Sequence, residues 1–260
     1  MTPDIETVRR FWESKPCNLL YSPEEVGTRE YFDQVEARKR YVEPHCPPFA
    51  EFDKWKGKRV MEIGCGLGTD AVSFARAGAI YSGIEYSKKS LDLTCKRFEV
   101  YGLNGRFFLW NAENLDELVP NETFDLIYSW GVIHHTPNPD KVIASVLPHM
   151  HADSEFRLML YAKDSWKNIM IEAGLDQPEA QSGCPIFQTY TKQDILNLMV
   201  VYDVLDITQT HIFPYNIEQY KQYKYEREPW FKEMPEAMFN ALERKFGWHL
   251  LIRAKKSCNT

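Results

Sequence analysis

The chain has 260 residues, 44% of them apolar and 26% charged, with a formal net charge of −6. That length suits one large domain, or a domain with an appended lid, and a core of that size needs no metal or disulfide staple. The negative balance argues against a polymeric nucleic-acid partner, which a basic surplus normally accompanies, and no apolar run approaches the roughly 18 residues of a membrane span.

Residues 1–50 are expected to form a helical, aromatic-rich lid, with helices over 4–14 and 29–42 and rings at Phe11, Trp12, Tyr21, Tyr31, Phe32, Tyr41 and Phe49. Its opening, MTPDIETVRRFWESK, has acidic residues and no apolar core, unlike a secretory signal, so a cytoplasmic protein is expected. The six cysteines show no CxxC spacing and read as reduced thiols. Arg38-Lys39-Arg40 reads as a solvated basic cluster. VEPHCPPF, residues 42–49, reads as a non-helical connection because of its three prolines.

From residue 58 strands and helices alternate. Strands are expected over 58–63, 79–85, 106–110, 124–130 and 155–162, and helices over 69–77, 87–101 and 138–150. This alternation implies an α/β doubly wound, mostly parallel sheet with helices on both faces. Thr191 to Asp194 opens another helix in capping-box style. Late strands are expected over 203–213 and 247–254, with a helical stretch over 230–246 between them. Residues 51–260 would then be one domain, with substrate-side insertions near 175–190 and 214–235.

The first strand runs into VMEIGCGLGTD, residues 60–70. Glycines in such a turn let backbone approach a ligand closely, and the following helix points free N–H groups at an anion. Gly64 and Gly66 match the first two positions of a dinucleotide fingerprint, but Thr69 stands at its third, and Gly68 comes one residue early. No Gly-Lys-Ser/Thr follows, so this is not a Walker loop. Glu85 ends the second strand, where a carboxylate accepts hydrogen bonds from ribose hydroxyls; the plainer reading is a solvated strand-end charge. Asn111 and Ala112 follow the third strand, placed to read an adenine edge or simply to cap a turn.

VMEIGCGLGTD, GIEYS, NAENL and FDLIYSWGVIHHT together resemble the class I S-adenosylmethionine-dependent methyltransferases, in particular their quinone-biosynthesis branch. The resemblance covers residues 58–162 well and the late strand pair more loosely. It implies a Rossmann-like sheet of seven strands with an antiparallel last strand, S-adenosyl-L-methionine as cofactor, S-adenosyl-L-homocysteine as product, and no metal. It further implies that Gly64, Cys65, Gly66, Gly68, Thr69 and Asp70 shape the cofactor turn. Glu62 would orient that turn or the methionine end, Glu85 the ribose, Tyr86 would flank the adenine, and Trp130 would lie near the methionine amino group. The family more often carries Asp where Asn111 stands.

Methyl transfer is an in-line displacement, so positioning should carry most of the rate, about 7–11 kcal/mol in favourable cases. His134 and His135, just past the fourth strand, are candidates for a base or a substrate-orienting pair; a hydrogen-bonded turn is the alternative. Tyr21, Tyr31 and Tyr161 are candidate substrate contacts. SWGV follows the fourth strand in place of the [DNS]PP[YFW] of many base and glutamine methylases, which leaves a small molecule methylated at O, N, C or S. Two rival functions stand beside this: an NAD(P)-dependent oxidoreductase, and a non-catalytic S-adenosylmethionine-binding partner subunit. The oligomeric state is open.

Overall fold

A computed structural model describes residues 3–176 and 183–257. Its strands are β1 (Arg59–Ile63), β2 (Ile80–Glu85), β3 (Arg106–Leu109), β4 (Phe124–Trp130), β5 (Met150–Ala162), β6 (Thr189–Tyr190), β7 (Tyr202–Thr210) and β8 (His249–Lys256). They form one sheet in the order β3-β2-β1-β4-β5-β8-β7, with β6 paired to β5. Pairing is parallel from β3 across to β5, and β8 runs antiparallel to both β5 and β7. The short β6 is one strand more than expected; the expected antiparallel last strand is present.

Helices cover the sheet because its central strands are apolar on both sides. Ile63, Ile127, Leu158 and Ile252 face one core, while Val60, Leu126, Met159 and Leu251 face the other. The helices are α1 (Ile5–Ser14), α2 (Arg29–Val42), α3 (Cys46–Ala50), α4 (Thr69–Arg76), α5 (Lys88–Tyr101), α6 (Leu115–Leu118), α7 (Pro139–Val146), α8 (Trp166–Glu172), α9 (Lys192–Leu198), α10 (Ile217–Lys221), α11 (Pro229–Lys232) and α12 (Glu236–Phe246). Their starts follow side-chain caps: Asp4 for α1, Thr28 for α2, Ser87 for α5, and the Thr191–Asp194 capping box for α9.

Three expectations need correction. The segment read as a non-helical connection contains α3, because its prolines occupy the first turn, where a missing N–H costs nothing. The helix expected to reach Met150 ends as α at Val146, and β5 already begins at Met150. The stretch 230–246 is split into α11 and α12 around Pro235. The insertion expected near 175–190 includes residues 177–182, which lie outside the described residues. Cys46, Cys65, Cys95 and Cys184 carry free thiols. Among the described residues no helix is long and apolar enough to cross a membrane.

Strand order reverses between β1 and β4, and ligands in open α/β sheets bind beyond the C-terminal ends of strands at such a point.

Candidate active site

A cavity of about 780 Å³ opens at that point, between the ends of β1, β2, β4 and β5 and the covering segments of α1, α2 and residues 211–221. Its volume lies within the roughly 300–1,000 Å³ typical of small-molecule sites.

The glycine turn forms its floor. Gly64 has φ +73°, and a Cβ there would lie 2.3 Å from Val132 Cγ2, so only glycine lets β1 and the turn after β4 approach this closely. Gly66 has φ +55°, and a Cβ there would meet nothing within 4 Å. Its N–H donates to Glu85 Oε2 at 2.9 Å. The N–H groups of Tyr86 and Ser87 donate to Glu85 Oε1, also at 2.9 Å. Burial raises the Glu85 pKa, against the lowering effect of these three donors. Glu85 is thus built into the cavity wall and braces the turn.

Behind the turn lies a buried charge cluster. Glu62 accepts from Tyr81 Oη at 2.6 Å, and burial, with the Asp70 charge, raises its pKa to about 8. Asp70, in the first turn of α4, accepts from Lys39 Nζ and Arg40 Nη1, both at 2.8 Å, and from Tyr128 Oη at 3.1 Å. Burial works to raise the Asp70 pKa, but Lys39 and Arg40 outweigh it and hold the carboxyl well below its usual range. The expected solvated cluster is therefore corrected: Arg38 and Lys39 are buried, because this face of α2 packs onto the glycine-turn side of the sheet.

On the β2–β3 side α1 closes the cavity. Tyr86 Oη donates to Glu6 at 2.6 Å and Ser87 Oγ to Glu13 at 2.9 Å, while Trp12 meets the His135 ring edge-on at 5.2 Å. Asn111 and Ala112 both line the cavity, but the Asn111 side-chain oxygen accepts from the Glu113 N–H at 3.0 Å and caps the turn there. Trp130 lines the cavity and donates its indole N–H to Glu43 at 3.2 Å. Glu62, Cys65, Thr69, Asp70 and Tyr86 also line it; Gly68, the helix N-cap of α4, sits behind.

The histidine pair divides. His135 lines the cavity, with Nδ1 2.7 Å from the Ile186 carbonyl oxygen. His134 is fully buried, its ring 3.8 Å from that of Tyr161, and neither of its nitrogens has a hydrogen-bond partner. Burial, then the neighbouring His135, pushes its pKa far down, so it is a neutral packing residue in this structure. Tyr21 and Tyr161 line the cavity, the latter stacked on Trp248 at 4.2 Å. Tyr31 does not: its hydroxyl donates to the Leu19 carbonyl at 2.8 Å and its ring packs with Phe32 and Val35.

Sequence reasoning missed a histidine nest, of which His211 lines the cavity. His45 Nε2 lies 2.9 Å from His249 Nδ1, and the His211 ring centroid is 4.7 Å and 4.5 Å from theirs. Burial depresses all three pKa values, His45 to about 4. No spacing signal links residues so distant in sequence. Among the described residues no group of three or more His, Cys, Asp or Glu side chains is arranged to hold a metal ion.

Residues 60–152 match the family described as methyltransferase domain. Over 89 residues the chain is 35% identical to a ubiquinone biosynthesis O-methyltransferase of Photobacterium profundum, covering 34% of this chain and 37% of that protein. Over 108 residues it is 32% identical to the same-named protein of Thiobacillus denitrificans, covering 42% and 43%. The matches thus span well under half the length of these curated relatives. A magnesium protoporphyrin IX methyltransferase structure from Synechocystis with bound SAH aligns over 98% of this chain and 100% of its own, with TM-score 0.62 and 17% identity. The [4+2]-cyclase SpnF aligns over 98% and 97%, with TM-score 0.60 and 16% identity. At such identities these likenesses carry the fold alone, and the cyclase marks that the fold by itself does not dictate one reaction.

Proposed function

We propose, from a chain with the class I, Rossmann-like methyltransferase fold and a methyltransferase domain over residues 60–152, that this protein transfers a methyl group from S-adenosylmethionine to a small-molecule acceptor. The observation that carries this reading is the glycine turn hydrogen-bonded to Glu85 in the wall of the cavity at the strand-order reversal, in a sheet whose β8 runs antiparallel between β5 and β7.

The residues present fit an adenosine-bearing sulfonium cofactor. Gly66 leaves an open cradle, Glu85 offers a carboxylate beside it, and Tyr86, Trp110 and Ala112 supply flat apolar wall. When bound, S-adenosylmethionine supplies an electrophilic methyl group. The residues named next would bind and orient the cofactor and the acceptor. Gly64 to Asp70 and Glu85 would hold the cofactor, Glu62 and Trp130 would border its methionine end, and Asn111 and Ala112 its adenine, with Asn111 contributing backbone because its side chain caps a turn. His135, Tyr161 and Tyr21 would orient the acceptor. Residues 1–50 would act as a lid over 51–260, with Trp12 and the Glu6 and Glu13 contacts excluding water from the cavity. The net charge of −6 fits a cytoplasmic enzyme working on small molecules without polymeric nucleic acid.

Calorimetric titration with S-adenosylhomocysteine and with NAD tests the cofactor. Saturable binding of the first and none of the second is expected, and NAD binding alone would point to an oxidoreductase. Incubation of a metabolite extract with labelled cofactor then separates an enzyme from a silent binding subunit, by the presence or absence of labelled products.

Glu85→Gln should weaken S-adenosylhomocysteine binding by roughly 10–100-fold, because charge-assisted bonds of about 1.5–3 kcal/mol are lost and an amide donor is turned toward backbone N–H groups. The same titration checks it; unchanged affinity would mean that Glu85 serves the protein's own packing only.

A further inference from the structure

Resting on the methyl-transfer reading, we propose that His211 is the catalytic base, accepting the acceptor's O–H or N–H proton as that atom takes the methyl group. Three independent features of the molecule converge on it.

The first is backbone strain. His211 has φ +73°, in the left-handed region, immediately after β7. Non-glycine residues in that region persist only where surroundings over-determine them, and they concentrate at functional sites. Here the surroundings do so. The Trp248 N–H donates to the His211 carbonyl at 2.6 Å. Beside it, a Cβ on Gly247 would lie 2.2 Å from the Thr210 carbonyl, so the two chain segments touch backbone to backbone.

The second is the direction of the ring. His211 lines the cavity, and its ring makes no hydrogen bond among the described residues. Its nitrogens are absent from the enclosed, unpartnered polar atoms that include both nitrogens of His134. The imidazole thus keeps a nitrogen for a ligand, whereas His45 and His249 spend one on each other.

The third is placement. The nest touches Trp130, with His45 and His249 rings 5.4 Å and 5.7 Å from it, and Tyr161 lies 6.0 Å from His249. His211 therefore stands in the cavity wall beside a histidine group that meets Trp130, at the end of β4, and Tyr161, near the end of β5. Burial, then His45 and Lys167, pushes the His211 pKa well down, so the ring stands neutral with one nitrogen lone pair available. The step balances: the acceptor's lone pair forms the bond to carbon, its X–H bond breaks, and the proton goes to an imidazole nitrogen of His211, while the sulfur keeps the electron pair of the bond that breaks.

Two measurements test this. Native protein is treated with diethylpyrocarbonate and the modified histidines are mapped by mass spectrometry. His211 should be modified while buried His134 is not; an unreactive His211 overturns the proposal. In parallel, labelled-methyl transfer into a metabolite extract is compared for wild type, His211→Asn, which tolerates positive φ, and His211→Gly. A fall of roughly 100-fold or more is expected for both, with S-adenosylhomocysteine affinity within about twofold and partial recovery of His211→Gly by added imidazole. Undiminished transfer by His211→Asn, a parallel loss of S-adenosylhomocysteine binding, or no recovery with imidazole overturns it. Wild-type protein that binds no S-adenosylhomocysteine and transfers no label would instead overturn the methyl-transfer reading itself.

Discussion

Gly64→Ala should abolish measurable S-adenosylhomocysteine binding and lower stability by about 2–5 kcal/mol. Two costs add. Alanine at φ +73° is strained by its own backbone, and its Cβ would arrive 2.3 Å and 2.7 Å from the two Cγ atoms of Val132. Neither can move freely, because Val132 packs against the buried core beneath the sheet ends. The turn must therefore shift away from β4, and the Gly66 N–H leaves Glu85. Removing the Cγ atoms with Val132→Ala in the same chain leaves only Cβ, 3.0 Å away, so the double variant should regain the packing part of the loss and keep the backbone part. Urea midpoints and calorimetry on wild type, the two single variants and the double variant read this out. A Gly64→Ala protein as stable as wild type would refute the close approach of the two strand ends.

The same close approach explains why the floor of the cavity was legible in the sequence and its roof was not. Glycines at positive φ, a strand-end carboxylate and a capped helix are local features, each written within a few residues of the end of its own strand. What faces them is assembled from distant segments. His45 meets His249 across 204 positions, and no periodicity announces that meeting. Adjacent candidates were equally opaque. Tyr31 and Tyr21 both looked like lid rings, but α2 turns Tyr31 inward against Phe32 and Val35. His134 and His135 are neighbours in one 3-10 turn, and its geometry alone sends the first into the core and the second to the cavity. The basic triplet at 38–40 failed for a different reason. Charge runs are usually solvated, but the buried Asp70 across the interface pairs with Lys39 at 2.8 Å and makes its burial tolerable.

Asp70→Asn should cost about 3–5 kcal/mol, because Lys39 and Arg40 would remain in their buried places without the anion that compensates them. The loss should fall below that range to the extent that Arg40, 21% exposed at its side chain, regains water. Lys39→Met combined with Asp70→Asn removes one of the stranded charges and should cost less than the sum of the single changes, the non-additivity expected of contacting groups. The pH dependence carries the sign of the same interaction. The folded pKa of Asp70 lies below its unfolded value of about 3.9, so its contribution is complete above that value and drains away as pH falls toward the folded one. Glu62 works in the opposite sense. Its folded pKa is raised to about 8, so its contribution is complete below the ordinary carboxyl value of 4.5 and is lost as pH climbs through 8. Together the two carboxyls favour the folded state most between roughly pH 4 and 5. In Asp70→Asn the acid limb should flatten. The alkaline limb should shallow as well, because the anion that helps burial hold the proton on Glu62 is gone. Urea midpoints across that pH range compare the two proteins, and parallel curves would exclude Asp70 as the partner that sets both limbs.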